Sequence, residues 1–512
     1  MTQGLLPFKL EEEGGTAKFT GLAGLFTYLE LAKGLGLLKS IANHVVLRRD
    51  GQGWTDSQLV TSLVMLNLAG GDCVDDLSRL EEDEGFCEAL KQAELSDLPR
   101  AERRQLLRRW RKERTRTVPS SSAIFRYLHE FHPDESARGT VKAWIPEAPS
   151  PLVGLRRVNR DLIAAIDARN PQTTATLDSD ATLVETTKKN ALYSYKGFKS
   201  YQPLNVYWAE HDVVLHSEFR EGNVPAGHQQ LRVLEEALSY LPAGVEKVRF
   251  RADSAGFQYD LLFYMARGDH PRFGVIDFAV SADVTTEFRA AVAQVEDKAW
   301  TRICRTVQHK DGTVEHKETP QEYAEVCYVT NRQAHSEKNP TLRFLAIREL
   351  LNEAEQLRLP GMPAEQLELP FPVVECDGKR YKLHGLVTNR HEMPAVDLIE
   401  WLRQRCGKSE EVHAIMKEDL AGGTMPSGHF GSNAAWWAIM ILAFNLNSAM
   451  RRLVLKDHWV SRRLKALRFH LICLPGRVIS HARQLILRVA GRDSYSLLNH
   501  VRRRILCLAE AT

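Results

Sequence analysis

Thr176-Leu-Asp178-Ser-Asp180-Ala-Thr182 delivers two aspartates, two positions apart, at the end of an apolar approach. In a strand, side chains alternate faces, so Asp178 and Asp180 point one way while Leu177 and Ala181 point the other. A carboxylate pair on one face of a core strand is costly to bury unless something cationic sits against it. A metal ion would meet that need.

The chain that follows reads as a sheet. After TATLDSDATLV come YQPLNVYWAE (201–210) and VVLHSEFREG (213–222), two more strands joined tightly through His211-Asp212. A helix from His228 to Leu241 carries Leu231, Leu234, Leu238 and Leu241 on one face. Val248-Arg-Phe-Arg-Ala-Asp253 is a strand that again ends in an aspartate; Ser254-Ala-Gly256 turns into a helix from Phe257 to Met265, and Phe273–Val280 is a buried strand. Three strands, helix, strand, helix, strand is the order of an α/β, ribonuclease-H-like core: a mixed sheet flanked by helices.

Working outward, residues 291–372 read as a β-rich insertion, with strands from Cys304 to His316 and from Glu325 to Asn331 around the hairpin signal Lys310-Asp-Gly312. The second part of the core spans 373–450, with a strand at Tyr381–Thr388 and helices from Ala395 to Gln404 and from Ser409 to Leu420. Upstream, residues 1–118 form a helical region for DNA binding or dimerisation, 119–170 are linker helices, and the first part of the core spans 171–290. Within the first region RRQLLRRWRKERTR (103–116) places eight basic residues in fourteen positions. Such a run reads as a solvated amphipathic helix or, given almost no compensating acid, as a phosphate-contacting one whose DNA-facing candidates are Arg108, Arg109 and Arg111. A Pro119-Ser-Ser-Ser122 turn and a second helix give it a helix-turn-helix outline. Residues 451–512 form a basic helical C-terminal region, whose charge is hidden in a net of only +3.

The totals describe an ordinary globular chain of 512 residues, 44% apolar and 26% charged. Eight scattered cysteines without a CxxC pair read as reduced structural thiols and argue against a zinc site. The most apolar helix, Ala434 to Leu446, is too short to span a bilayer and carries Asn445, so no membrane partner and a cytoplasmic location are expected.

Three acids stand where two-metal phosphoryl transfer needs them: Asp180 on the first strand, Asp253 at the end of the fourth, and Glu410 on a late helix. An all-carboxylate set suits Mg²⁺, which prefers hard oxygen ligands and leaves room for water and phosphate. Each also has a plain structural reading. An aspartate closing a strand is often a helix cap, and Glu411 competes with Glu410. Glu410 shares a helical face with Ala414 and Lys417, whereas Glu411 lies about 100° away. Asp178 is the alternate ligand. Lys188, Lys189, Lys196 and Lys199 crowd the loop after the first strand, which reads either as a DNA-facing edge or as a solvated loop. Trp436 and Trp437 read as core residues, and His413 and His228 as surface or capping histidines.

LDSDAT, Tyr195-Lys-Gly-Phe-Lys-Ser-Tyr-Gln-Pro-Leu204, Arg251-Ala-Asp-Ser-Ala-Gly-Phe257, the Glu410 helix, Phe430-Gly-Ser-Asn433 and Leu442–Leu446 together resemble the IS1380 family of DDE transposases, over roughly residues 60 to 455. The resemblance implies Mg²⁺- or Mn²⁺-dependent cleavage and strand transfer at the terminal inverted repeats of a bacterial insertion sequence. It implies double-stranded element and target DNA as partners, a homodimer in the synaptic complex, and association with the nucleoid when DNA is bound. The wider group carries Tyr-x-x-Arg-x-x-x-Glu-x-x-x-x-x-x-Lys around its glutamate; here Glu410 and Lys417 match, but Arg403 and Cys406 stand at the tyrosine and arginine positions, with Arg405 beside them. Lys417 and Arg405 would hold phosphate oxygens. Two alternatives stay open: a domesticated DNA-binding protein without catalysis, and a ribonuclease-H-like nuclease that does not transpose.

Overall fold

The computed structural model describes residues 18–47, 53–96, 98–112, 116–133, 143–308, 313–330, 339–352, 371–376, 378–481 and 484–510. Ten strands form its main sheet: β1 (Thr174–Ala181), β2 (Leu204–Trp208), β3 (Val213–Glu218), β4 (Lys247–Ala252), β5 (Asp277–Ala282), β6 (Thr301–Gln308), β7 (Val314–Val326), β8 (Arg343–Leu350), β9 (Val373–Cys376) and β10 (Lys379–Thr388). The order β3-β2-β1-β4-β5 has β1, β4 and β5 parallel and β2 and β3 antiparallel to their neighbours. That is the ribonuclease-H-like topology the strand order in the sequence implies. The β2–β3 turn closes at Asp212, whose φ of 58° is the left-handed conformation that aspartate tolerates better than most residues. The crossovers from β3 to β4 and from β4 to β5 run through α4 (Gln230–Ser239) and α5 (Tyr259–Arg267).

The region read as an insertion does not stand apart from this sheet. β10 pairs antiparallel with β5, Gly385 opposite Ala282 and Thr388 opposite Ala279, and β8, β7 and β6 continue outward from it. The expected strand from Glu325 to Asn331 is instead the end of one thirteen-residue strand, β7, that stops at Val326. The hairpin signal at 310–312 lies outside the described residues.

The helices bury the other faces. In α1 (Asp56–Ala69) Thr55 caps the N-terminus in a reciprocal pair with Gln58, and Gly70 ends the helix at φ 100°. Asp83 caps the next helix through Phe86 N, and the Glu81 carboxylate receives the amides of Thr117 and Val118. The basic run forms α2 (Arg100–Lys112), with Arg108 exposed; the side chains of Arg109 and Arg111 lie outside the described residues. Ser120 caps the following helix, Ser121–His129.

The central element is α8 (Phe430–Ala449), packed on α1, on α3 (Ser150–Asp167) and on β3. It continues as a wider-turn segment to Leu455, so the apolar helix is longer than its sequence suggested and long enough to cross a membrane by length and composition; 89% of its most apolar window is buried inside the protein. Its asparagines explain why it belongs there. Asn445 donates to Asn159 Oδ1 (2.7 Å) and Val214 O (2.9 Å) and accepts from Val214 N (2.8 Å), tying α8 to α3 and β3. Asn433 donates to the Tyr201 hydroxyl, and Asn447 accepts from Tyr28. Trp436 and Trp437 are each 1% exposed and donate to Ala421 O and Ser217 Oγ. Beyond α8 the terminal region is only partly helical: Gly476–His481 and Gln484–Val489 form a hairpin that also pairs with Lys18–Thr20, followed by α9 (Arg492–Glu510). Alternation of Val478, Leu485 and Leu487 against arginines and polar residues carries this strand pattern, which the basic count obscured.

Candidate active site

Parallel pairing of β1 with β4 brings the C-terminal ends of both strands to one edge. Asp180 lies near the end of β1, opposite Asn205 of β2; Asp253 immediately follows β4 and accepts a bond from Ala255 N at 3.1 Å, capping a short turn of helix. The third acid arrives from α7 (Lys408–Ala414), which follows α6 (Ala395–Arg403). Glu410 is exposed on α7 and faces Asp180 closely enough to act on its charge. Glu411 turns away and pairs with Lys408 at 3.4 Å.

The electrostatics record the convergence. Burial pushes the Asp180 carboxyl up to about 6; Arg405 opposes that rise, while the negative charges of Asp253 and Glu410 add to it. Asp283, just after β5, is raised by burial and by Asp253, which places a fourth carboxylate beside the second acid. Like charges gathered at one edge are what a bound divalent cation relieves.

Basic groups close the other side. Arg405 is buried, with Nη2 3.1 Å from Asp180 Oδ2 and 3.4 Å from Ser179 O, and its Nε has no hydrogen-bond partner. Arg403 turns the other way, to Gln321, and Cys406 is exposed, so of the residues around the departed motif positions Arg405 is the one at the acids. Lys417 sits in the wider-turn segment Ile415–Asp419 that continues α7 and reaches Leu183 O at 3.5 Å. His413, expected at the surface, instead lies 3.9 Å from Asp180, and its imidazole is pushed down to about 4 by burial, Lys417 and Arg405, against the pull of Glu410. It is neutral there. Its position three residues after Glu410, on the same helical face, was the available signal.

Asp178 occupies a different role in the fold. It lies opposite Arg251 in the β1–β4 register, and Arg251 Nε and Nη2 hold its two oxygens at 2.6 and 2.9 Å. Arg251 Nη1 then donates to Trp401 O (2.7 Å) and Gln404 Oε1 (3.2 Å), so one buried guanidinium joins β1, β4 and the end of α6. In the loop after β1, Lys196 is exposed, Lys199 donates to Lys189 O at 2.7 Å, and Lys188 reaches Pro426 O. His228 donates its backbone amide to Pro225 O.

Carboxylate oxygens are the donors a hard divalent cation takes, so the donor set fits magnesium or manganese. The spacing is not closed: among the described residues no three His, Cys, Asp or Glu side chains stand close enough to share an ion.

Strand order and the acid-bearing edge define a ribonuclease-H-like protein with a carboxylate cluster at the ends of its parallel strands. Residues 7–509 match the family described as Transposase DDE domain group 1, and the chain belongs to that family. Among solved structures it is similar to the cryo-EM structure of the piggyBac transposase synaptic complex with hairpin DNA, at a TM-score of 0.41 and 11% identity, covering 89% of this chain and 81% of that one. No curated protein matches the sequence.

Proposed function

We propose that this chain is an IS1380-type transposase that cuts and joins DNA at the terminal inverted repeats of an insertion sequence, with Asp180, Asp253 and Glu410 as its catalytic, metal-holding acids. What supports the reading is the family match over residues 7–509 together with the parallel pairing of β1 and β4, which sets Asp180 and Asp253 at one sheet edge, with Glu410 on the α7 helix that follows α6. Magnesium or manganese held there would activate water and stabilise the leaving oxygen of a phosphodiester. The protein's own groups do the positioning. Lys417, at the β1 exit, donates to phosphate oxygens, and Arg405, once it leaves Asp180, places a planar guanidinium at the same edge. Neutral His413 adds no competing positive charge beside Asp180. The 3′-hydroxyl freed by the first cut attacks a second phosphodiester, forming one P–O bond as another breaks. Asp178 supports the site through Arg251 and serves as the alternate ligand only if that pair opens. Arg108, Arg109, Arg111, Lys196 and Lys199 supply phosphate contacts, and two copies of the chain pair the element's ends in the bacterial cytoplasm, on the nucleoid.

A second reading, a DNA-binding relative without catalysis, is favoured by the Arg405–Asp180 ion pair. One experiment separates them. Incubated with Mg²⁺ and DNA carrying the sequences that flank its gene, the wild-type chain should cut at the element ends; Asp180→Ala and Asp253→Ala should bind that DNA and leave it intact. Cleavage unchanged in both variants would overturn the proposal, and absence of cleavage by wild type would favour the second reading.

A further inference from the structure

The hairpin that rises from the end of β1 keeps two large rings in solvent. Tyr193 is 63% exposed and Tyr195 is 78% exposed. Neither is on a loose loop. Residues 184–185 pair with 200–201 at its base, Tyr193 bridges to Lys199, and Ser200 N donates to Leu192 O at 3.0 Å. At the tip Ser194 N donates to Phe198 O (2.8 Å) and Gly197 N to Ser194 O (3.0 Å), with Gly197 at φ 83°, a turn that only glycine makes without strain. The base is seated on Gly222, where an added Cβ would meet Ser200 O at 2.4 Å. The chain thus holds two aromatic side chains outward on a fixed frame.

Each ring has a lysine beside it, Lys199 Nζ 5.9 Å from the Tyr193 centroid and Lys196 Nζ 5.9 Å from that of Tyr195. Rings alternating with ammonium groups match a polyanion that also offers flat π-faces. In an intact duplex the bases stack on one another and present no free face, so the chemistry selects unpaired nucleotides. The hairpin's place says where they lie. Lys199, which pairs with Tyr193, is six residues from Asn205, the register partner of Asp180. The hairpin's two arms leave β1 at Ala181 and enter β2 at Leu204, so it rises from the strand ends that carry Asp180.

We propose that Tyr193 and Tyr195 form a stacking platform for unpaired DNA bases close to the phosphodiester that is cut at the strand ends bearing Asp180. The inference rests on the reading of this chain as a DNA-cutting transposase, but its test does not need cleavage.

The probe is fluorescein-labelled dT15, with a fifteen-unit abasic strand and a blunt 25-base-pair duplex as controls, bound to the full-length chain. Tyr193→Ala/Tyr195→Ala should weaken dT15 binding about tenfold or more, and Tyr193→Phe/Tyr195→Phe should bind as wild type. The abasic strand should bind wild type and the alanine variant alike, and duplex affinity should change by less than about threefold. The idea is overturned if the alanine variant binds dT15 as wild type does, if it loses dT15 and duplex equally, or if only its oligomeric state changes. Both side chains are exposed, so the folded state should survive, which circular dichroism checks. Loss of dT15 binding in a chain that cuts no DNA would keep the platform and reject the transposase reading; cleavage without the dT15 effect would do the reverse.

Discussion

Replacing Arg251 with methionine removes the group that joins β1, β4 and α6. Its side chain is 4% exposed and that of Asp178 is 3% exposed, so the substitution leaves a carboxylate buried without its cation. It also removes the donors to Trp401 O and Gln404 Oε1. Breaking a buried pair from one side costs about 3–5 kcal/mol, whereas replacing both partners with apolar groups of similar size is often nearly neutral. Arg251→Met should therefore lose about 3–5 kcal/mol in urea unfolding followed by tryptophan fluorescence. Asp178→Leu should lose a similar amount by stranding the guanidinium. The double variant Asp178→Leu/Arg251→Met should cost far less than the sum of the two singles, a coupling of about 2 kcal/mol or more. An Arg251→Met chain within about 1 kcal/mol of wild type, or a double variant that costs the full sum, would refute the view that this pair locks the strands under the acids.

Asn445→Ala leaves Val214 N and Asn159 Oδ1 buried without the partner they use now, and should cost about 2–5 kcal/mol in the same assay. Gly431→Ala drives a Cβ to within 2.2 Å of Phe131 O and 2.3 Å of His132 Cα, so α8 must shift; a loss of at least about 1–3 kcal/mol is expected, and unchanged stability would contradict the packing. At Glu236 burial works to raise the carboxyl, but His216 at 3.1 Å, with Arg156 and Arg232, holds it down to about 2. A carboxylate held below its unfolded value stabilises the fold above about pH 4.5 and loses that contribution as pH falls toward 2. Glu236→Gln should therefore flatten the stability profile between those limits relative to wild type; parallel profiles would rule the contribution out.

The five-strand order of the core was legible because each strand announces itself locally: β-branched and aromatic runs bounded by turns, with His211-Asp212 closing the one tight hairpin. Sheet membership of β6 to β8 was not legible, since antiparallel edges can be added to an existing sheet or form one of their own with the same alternation. The acids were legible from where strands end. What they do around one another depends on partners distant in sequence. Asp178 and Asp180 look equivalent in LDSDAT, yet the β1–β4 register sets Asp178 opposite Arg251 and Asp180 beside Arg405, 225 positions downstream. Arg251 was within reach of the same logic, because it stands two residues before Asp253 as Asp178 stands two before Asp180. α8 runs beyond the Ala434–Leu446 read from its apolar residues because Asn433, Asn445 and Asn447 are each satisfied by an element packed against it.

The assignment of the third acid decides the account. Side by side, Glu410→Gln and Glu411→Gln differ by one position on α7; Glu410 acts on the charge of Asp180, whereas Glu411 pairs with Lys408. Cleavage of element-end DNA in Mg²⁺ and in Mn²⁺ should be abolished by Glu410→Gln and kept close to wild-type rate by Glu411→Gln. Loss of activity in Glu411→Gln with Glu410→Gln still cutting would contradict the account.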